Sequence, residues 1–595
     1  MKWMDRLKMA GSGLANAGGR YPLTLVFLVA GTVVNALAIE DTTALRLTHN
    51  KLFAACIVGA FLATLAQVIY EKWDGSSAKR WLLAGVSVVL AAGYLWIIWG
   101  ASEIGMEIVV RTAALLSAII VGIIWVPSIK GRVSFNETFL GAFKAFFIAL
   151  FFSGVIFAGV AIIISAVDLL LFQVDSNAYA HTANIVFTLF APIYFLSLIP
   201  NYQKADQAVI DRIISCPRFL EILISNILIP LVSVFTVILV IYIGLNIRGE
   251  FWTENLIEPM LVSYSIVVIV LMLLSANLTN RFATLFRKVF PKVLIPLVVL
   301  QLVASVLKIG ESGLTHSRYY VIMYGVFAAV AGVVFSFLKP TKTGIIAVVL
   351  IAFSLLSTIP PVDAFGVSKR NQIATLQEVL EKNGMFVDGK IVPKSDVPED
   401  DKELITNTAE YIWRMEYADE VPWLGRGFDY YGNFEQTFGF SWNEYPGEQK
   451  FYKIFRRIRT SGLDISGYDA MARLSYYSVE PDANLKEKTA LTYGADTYRL
   501  GWDVGRDAHN LFLEDQGGTR LVVFDYNTIR TQLDGLDMED GMERGLTNEE
   551  ATFQVENERV VMTIIVDHYE MYPASREQED YNIQSDFYVL IDWKE

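Results

Sequence analysis

Apolar residues cluster into runs near 21–39, 52–70, 81–100, 108–127, 139–165, 183–200, 219–247, 259–278, 291–309, 319–338 and 343–359, with short polar loops between them. A bilayer core takes about 20 residues of helix, so each run has the dimensions of a membrane span. The pattern predicts about eleven transmembrane helices. It changes at Ile359-Pro360-Pro361, because proline cannot continue a helix. Asn371–Asn383 carries Ile373, Leu376, Val379 and Leu380 at helical spacing and stops at Gly384, and Asp400–Tyr417 opens on acidic residues. Both read as amphipathic helices. Beyond about residue 465 the pattern turns strand-like, over Tyr468–Tyr477, Ala490–Trp502, Arg520–Tyr526, Arg559–His568 and Phe587–Trp593. The expected fold is a polytopic α-helical membrane bundle followed by an extracytoplasmic α+β domain with a mainly antiparallel sheet. Its expected parts are a basic tail (1–20), a transmembrane domain (21–360), a linker (361–370) and an acidic domain (371–595).

Composition agrees with this division. The chain is 53% apolar with a mean hydropathy of +0.40, too apolar for an ordinary soluble protein. Residues 366–595 hold 24 of the 49 Lys+Arg and 44 of the 62 Asp+Glu; the first 365 hold the other 25 and 18. An acidic soluble part repels phosphate, which argues against nucleic acid as a partner. The two cysteines, Cys56 and Cys216, both fall in the apolar half, so the acidic domain has no disulfide framework. The loops alternate in charge: 18 Lys and Arg lie on the side of the N-terminus, against Arg46, Lys51, Arg248, Lys308 and Arg318 on the other. Basic loops stay in the cytoplasm. The expectation is therefore a plasma-membrane protein with a cytoplasmic N-terminus and the acidic domain outside. Ala36-Leu37-Ala38 also fits a signal-peptidase site, although the basic lead before the first run is long for a signal peptide.

Charge inside a membrane span is costly and points to function or pairing. Lys144 and Glu221 lie near cytoplasmic ends, where snorkelling accounts for them. Arg111 and Asp168 lie toward the outer ends of the fourth and fifth runs, where they could form an ion pair or edge a ligand site. Glu311, Arg318 and Tyr319 stand at the same level in the loop before the tenth run. Pro192 and Pro230 fall within spans and deprive the carbonyls of Thr188 and Asn226 of their usual donors. Such broken helices either line a site or are satisfied by neighbours. The segment 411–455 contains 15 aromatic residues, suited to stacking on sugar rings or headgroups, or to filling a small core. Ser441, in Gly439-Phe-Ser-Trp-Asn443, lacks the neighbours of a nucleophile elbow, and neither a P-loop nor a zincin motif is present. The five histidines, His49, His181, His316, His509 and His568, show no metal-ligand spacing. No cofactor is expected.

Several stretches together carry a family resemblance. Ala191-Pro-Ile-Tyr-Phe-Leu-Ser-Leu-Ile-Pro200, Phe219-Leu-Glu-Ile-Leu-Ile-Ser-Asn-Ile-Leu-Ile-Pro-Leu231 and Gly310-Glu-Ser-Gly-Leu-Thr-His-Ser-Arg-Tyr-Tyr320 are three of them. Pro360-Pro-Val-Asp-Ala-Phe-Gly-Val-Ser368 and Asn383-Gly-Met-Phe-Val-Asp-Gly-Lys390 complete the set. From about residue 135 to 410 the chain resembles a large bacterial family known only as domain of unknown function 4153. The resemblance implies a polytopic membrane protein with an extracytoplasmic C-terminal domain, and no reaction. Glu311, Gly313, Thr315, Arg318 and Tyr319 are the positions that match the family's Glu-x-Gly-Leu-Thr-x-x-Arg-Tyr element. Eleven spans exceed what an anchor needs. The leading expectation is a binding or transport-like protein that handles an envelope component, such as an anionic lipid or precursor, near the outer leaflet. The alternatives are a non-transporting sensor or assembly factor acting on a membrane-protein partner through its outer domain, and a membrane-embedded enzyme. Membrane lipids are partners in every case.

Overall fold

The computed structural model describes residues 13–594 except 42, 44, 74, 247–256, 340–341, 426, 443–452, 459–462, 464, 478–488, 495, 505–508, 537–542 and 574–580. The chain forms two compact units. One is Met1–Phe386 with Asn407–Gly427; the other is Val387–Thr406 with Phe428–Glu595.

In the first unit every apolar run becomes helix. The helices are α1 (Pro22–Glu40), α2 (Leu45–Lys72), α3 (Ser77–Trp99), α4 (Met106–Trp125), α5 (Phe135–Leu170) and α6 (Asn177–Leu198). After the short α7 (Gln207–Ile214) come α8 (218–246), α9 (Ile257–Leu274), α10 (Arg281–Leu307), α11 (His316–Phe337) and α12 (Gly344–Leu356). Among the described residues nine helices are long and apolar enough to cross a bilayer, with α7 and α8 counted as one span. The shorter apolar α9 and α12 occupy the other two predicted positions. This is a multi-pass membrane protein. Large apolar side chains such as Phe151, Ile162 and Leu169 stand exposed along α5, as lipid-facing positions do. A capping box between Ser134 and Glu137 starts that helix. Its 36 residues give a length of about 54 Å at 1.5 Å per residue, beyond one bilayer core.

Separate apolar cores hold the bundle. One joins α8 to α12 through residues such as Val268, Phe286, Leu294 and Ala331; a smaller one groups Tyr21, Val68, Val126 and Leu196. Small residues let α1 and α2 approach closely. A Cβ on Gly59 would fall 2.5 Å from the Phe27 ring, and one on Gly31 would fall 3.2 Å from Cys56 Cβ. Gly59→Ala is accordingly expected to cost about 1–2 kcal/mol by overpacking, read as a lowered melting temperature in detergent.

The stretch read as a linker is helical from Ala364. Asp363 caps α13 (Ala364–Lys382) by accepting from Gly366 N, which starts the helix seven residues before its apolar spacing suggests. The second amphipathic helix is α14 (Glu399–Arg414).

In the second unit β1 (Lys453–Arg457), β2 (Ala470–Tyr477), β7 (Glu543–Leu546), β8 (Thr552–Glu556), β9 (Val560–Pro573) and β10 (Tyr581–Trp593) form one sheet in the order β2-β10-β9-β1-β7, with β8 also on β9. The second sheet is a meander, β3 (Thr489–Tyr493), β4 (Asp496–Val504), β5 (His509–Glu514) and β6 (Arg520–Asp525). Among the described residues of these two sheets only β1–β7 is parallel, so the sheets are mainly antiparallel, as the pattern predicts. The strand expected over Ala490–Trp502 is a hairpin that turns at Gly494, whose φ is +61°, a conformation glycine adopts freely. The two sheets share a core with Tyr476, Leu500, Trp502, Leu511, Phe524 and Phe587. The aromatic residues of 428–442 pack on one another: Phe434, Phe438 and Phe440 are buried, and Tyr430 contacts both Phe434 and Trp442. They fill a small core. Tyr431 remains exposed, and Tyr445 lies outside the described residues.

Candidate functional site

Of the charges singled out at the ends of the spans, Arg111 and Arg318 both lie where α13 meets the bundle, with partners other than those the sequence suggests. Glu107 lies in the first turn of α4 and Arg111 one turn later, 2.6 Å from it. The second nitrogen of the Arg111 guanidinium meets the Asp363 carboxylate, which is almost wholly buried. Asp363 thus caps α13 and pairs with α4 at once. Burial alone would raise its pKa, but the Gly366 N–H and the Arg111 guanidinium outweigh that and hold the carboxyl below the usual range. Gly366 makes room for this, since a Cβ there would fall 2.7 Å from Asp363 Oδ1. The Arg111 guanidinium lies 5.7 Å from the Phe365 ring centre, and His316 stacks on the same ring at 4.9 Å. Tyr411 Oη accepts from the His316 backbone N–H at 3.2 Å and lies 2.9 Å from Nδ1. Lys369 pairs with Glu420 and lies over the Tyr417 ring. Burial, followed by the charge of Glu107, pushes the Tyr417 phenol far above its ordinary pKa.

The loop Gly310–Tyr320 forms the socket for α13. Gly313 has φ +68°, and a Cβ on it would fall 2.5 Å from Gln372 Nε2. Gln372 donates to Ser312 O at 2.9 Å, and Asn371 Oδ1 accepts from Leu314 N at 2.6 Å. Arg318 turns back on its own loop, donating to Lys308 O, Ser312 Oγ and Gly313 O at 2.8–2.9 Å. Thr315 caps α11, and Tyr319 Oη donates to Val362 O at 2.7 Å. The Glu311 side chain lies outside the described residues; its backbone sits in the one-turn helix Ile309–Ser312. Asp168 is not a member of this cluster. It is exposed and accepts from Val174 N at 2.8 Å, closing the end of α5. The cluster is a joint: its charges pair within it, and its hydrogen bonds fasten α13 and residues 407–427 to the ends of α4 and α11. No three His, Cys, Asp or Glu converge for a metal among the described residues.

Thr188, Pro192, Asn226 and Pro230 mark widened helices rather than breaks. Asn184–Phe190 and Leu223–Leu228 are π-helical, and the residue before each proline donates five residues back, Ala191 to Val186 O and Ile229 to Ile224 O. One wide turn accommodates the missing proline donor, and α6 and α8 continue. Asn226 itself is exposed, while the adjacent Ser225 Oγ accepts from Asn280 Nδ2 at 2.7 Å. Each π-turn borders an apolar cavity. The one at α6 is about 450 Å³, lined by Thr188, Ala191 and Pro192 with Thr24, Ala60, Phe146 and others. The one at α8 is about 430 Å³. The first is enclosed by the start of α1, the ends of α2, α4 and α6 and the first half of α5, all on the side of the N-terminus.

Lys144 donates to Ser215 O at 2.6 Å and Glu221 pairs with Arg218 at 3.1 Å, as their positions near the helix ends suggest. Sequence reasoning missed two other buried polar arrangements. Lys51 Nζ donates to Trp99 O and Ala101 O at the end of α3, where a cation suits the carbonyl end of a helix. Glu258 bonds Ser305 between α9 and α10, one turn from the buried Gln301. A Lys beside a helix end and an acid in the first turn of a span were the available signals.

A family profile described as "Domain of unknown function (DUF4153)" matches residues 24–382. The match starts in the first turns of α1, well before the stretches that carry the resemblance, and stops at the last residue of α13. The bundle and the helix jointed to it are thus the shared part. No curated protein and no solved structure matches the chain.

Proposed function

The chain belongs to the domain of unknown function 4153 family, and on that premise we propose that it binds an amphipathic envelope component within its membrane bundle. The observation that carries this is the cavity of about 450 Å³ beside the α6 π-turn, within the range of small-molecule sites and lined almost entirely by apolar side chains. The basic-loop count supports a position in the cytoplasmic half of a bacterial plasma membrane rather than beneath the outer leaflet. The charged cluster that pointed outward is used up in the joint. Ala191→Phe fills the cavity from the π-turn without touching the joint. Expected is the loss of specific lipids from the purified protein, seen by mass spectrometry of extracts, with the melting temperature nearly unchanged. An unaltered lipid complement sinks this reading.

The second reading is a non-transporting sensor or assembly factor. It rests on the joint, through which a change in residues 364–386 or 407–427 would reach α4 and α11. It calls for a protein partner, sought by crosslinking in intact cells, and for a role abolished by deleting residues 428–595.

A further inference from the structure

Arg20, Lys72 and Arg80 enter the sequence reading only as orientation signal, yet they gather at the mouth of the α6 cavity. Arg20 makes two bonds to Glu71, at 2.8 and 2.7 Å, and donates to Ile199 O and Pro200 O. Gln67 donates to Glu71, and Arg80 donates to Gln67 and to Arg20 O. This framework ties the start of α1, the end of α2 and the end of α6 around a recess of about 30 Å³, room for about two waters. The recess adjoins the apolar cavity, since Ile123 and Leu196 line both.

Its polar lining is rich in donors that have no acceptor. Tyr21 is 2% exposed, and neither its hydroxyl nor Gln203 Nε2 has a hydrogen-bond partner among the described residues. Among the described residues Lys72 Nζ reaches only Pro127 O, at 3.3 Å, and passes over Gly131, where a Cβ would lie 3.0 Å from it. Burial pushes the nearby Tyr202 phenol up to about 12, against the opposing pull of Arg20, so it stays protonated at neutral pH. Of the charges here, Glu71 offsets Arg20 and Glu137 is engaged at the Ser134 cap. Lys72 and Arg80 leave the site net positive. Buried donors without acceptors are destabilising, and an anionic oxygen supplies what they need.

We infer that this recess is the headgroup site of an anionic phospholipid, whose phosphate oxygens accept from Tyr21, Gln203 and Lys72 while an acyl chain enters the apolar cavity. The inference rests on the cavity reading above and names its ligand class.

The test uses full-length protein, delipidated in detergent and titrated with dioleoylphosphatidylglycerol, dioleoylphosphatidylcholine, dioleoylglycerol or inorganic phosphate, with occupancy read by native mass spectrometry. Phosphatidylglycerol is expected to bind about tenfold more tightly than phosphatidylcholine, which offers the same phosphate but brings a choline cation against Lys72 and Arg80. Tyr21→Phe and Lys72→Gln each lower phosphatidylglycerol affinity and leave dioleoylglycerol unchanged, while Lys72→Arg retains the preference. Tyr21→Phe removes one atom, so a folding defect is separable by its melting temperature without lipid. Equal binding of the two phospholipids, or full affinity in both loss variants, overturns the inference and leaves water in the recess. Inorganic phosphate binding without any phospholipid preference overturns it too. Ala191→Phe separates the two readings. If it spares every lipid while the headgroup variants lose phosphatidylglycerol, the cavity is wrong and the recess stands; if it loses every lipid while headgroup variants change nothing, the reverse holds.

Discussion

Arg111→Met is expected to destabilise the protein by about 3 kcal/mol, because it strips a buried carboxylate of its cation. Asp363 has a side chain 1% exposed and, without Arg111, keeps backbone N–H groups, that of Gly366 foremost, but no cation among the described residues. The cost falls short of a fully enclosed pair because Arg111 is 30% exposed and also serves Glu107. Adding Asp363→Asn retains the cap acceptor and removes the stranded charge, so the double variant should recover most of the loss. Thermal melting of the four proteins in one detergent measures the coupling; a strictly additive cycle would show that the ion pair does not hold the joint. The pH dependence has a definite sign. The folded pKa of Asp363 is depressed, so its contribution is complete above the unfolded carboxylate value and is lost as pH falls through the folded value. In Arg111→Met the stranded carboxylate is relieved by protonation, so that acid-side loss disappears.

Asp567→Ala is expected to cost about 3–5 kcal/mol, the larger of the two effects, since it leaves a buried guanidinium without its carboxylate. The Arg457 and Asp567 side chains are 6% and 2% exposed and meet at 3.3 Å. The only other side chain that Arg457 reaches among the described residues is Asn548, at 3.3 Å. The register of β9 against β10 shifts between Val566 and His568. This bulge places Asp567 inward, where strict alternation would not. Arg457→Met added to Asp567→Ala should restore stability, as apolar replacements of buried pairs commonly do. Protease resistance of the second unit in the full-length chain is the readout. Equal resistance of the Asp567→Ala single variant and the wild type would refute it.

The spans, the change of character after Pro360 and the antiparallel strands follow from local pattern. A run of about 20 apolar residues meets its requirement within one helix, whatever its neighbours are. The Asp363 cap was also readable, as an Asp just before a helical segment; the adjacent Pro360-Pro361 drew the eye to a linker instead. Four strands were missed, His509–Glu514 because its apolar run Leu511–Leu513 is short and three for their composition. Lys453–Arg457 carries three basic residues, while Glu543–Leu546 and Thr552–Glu556 are short and largely polar. The prolines of α6 and α8 were visible, but whether a helix breaks or widens depends on which carbonyl the preceding N–H can reach.

Sequence alone therefore determined a multi-pass membrane bundle, its helix positions, its family and the sheet-rich second part, because hydropathy and periodicity act over one element. Tertiary structure alone decided what each charge does. Arg111 and Asp363 are 252 positions apart, and Tyr21, Lys72 and Gln203 meet only when α1, α2 and α6 pack. An ion pair or an orphaned donor is a property of two or more distant groups and of the water excluded between them, and no single stretch of chain contains it.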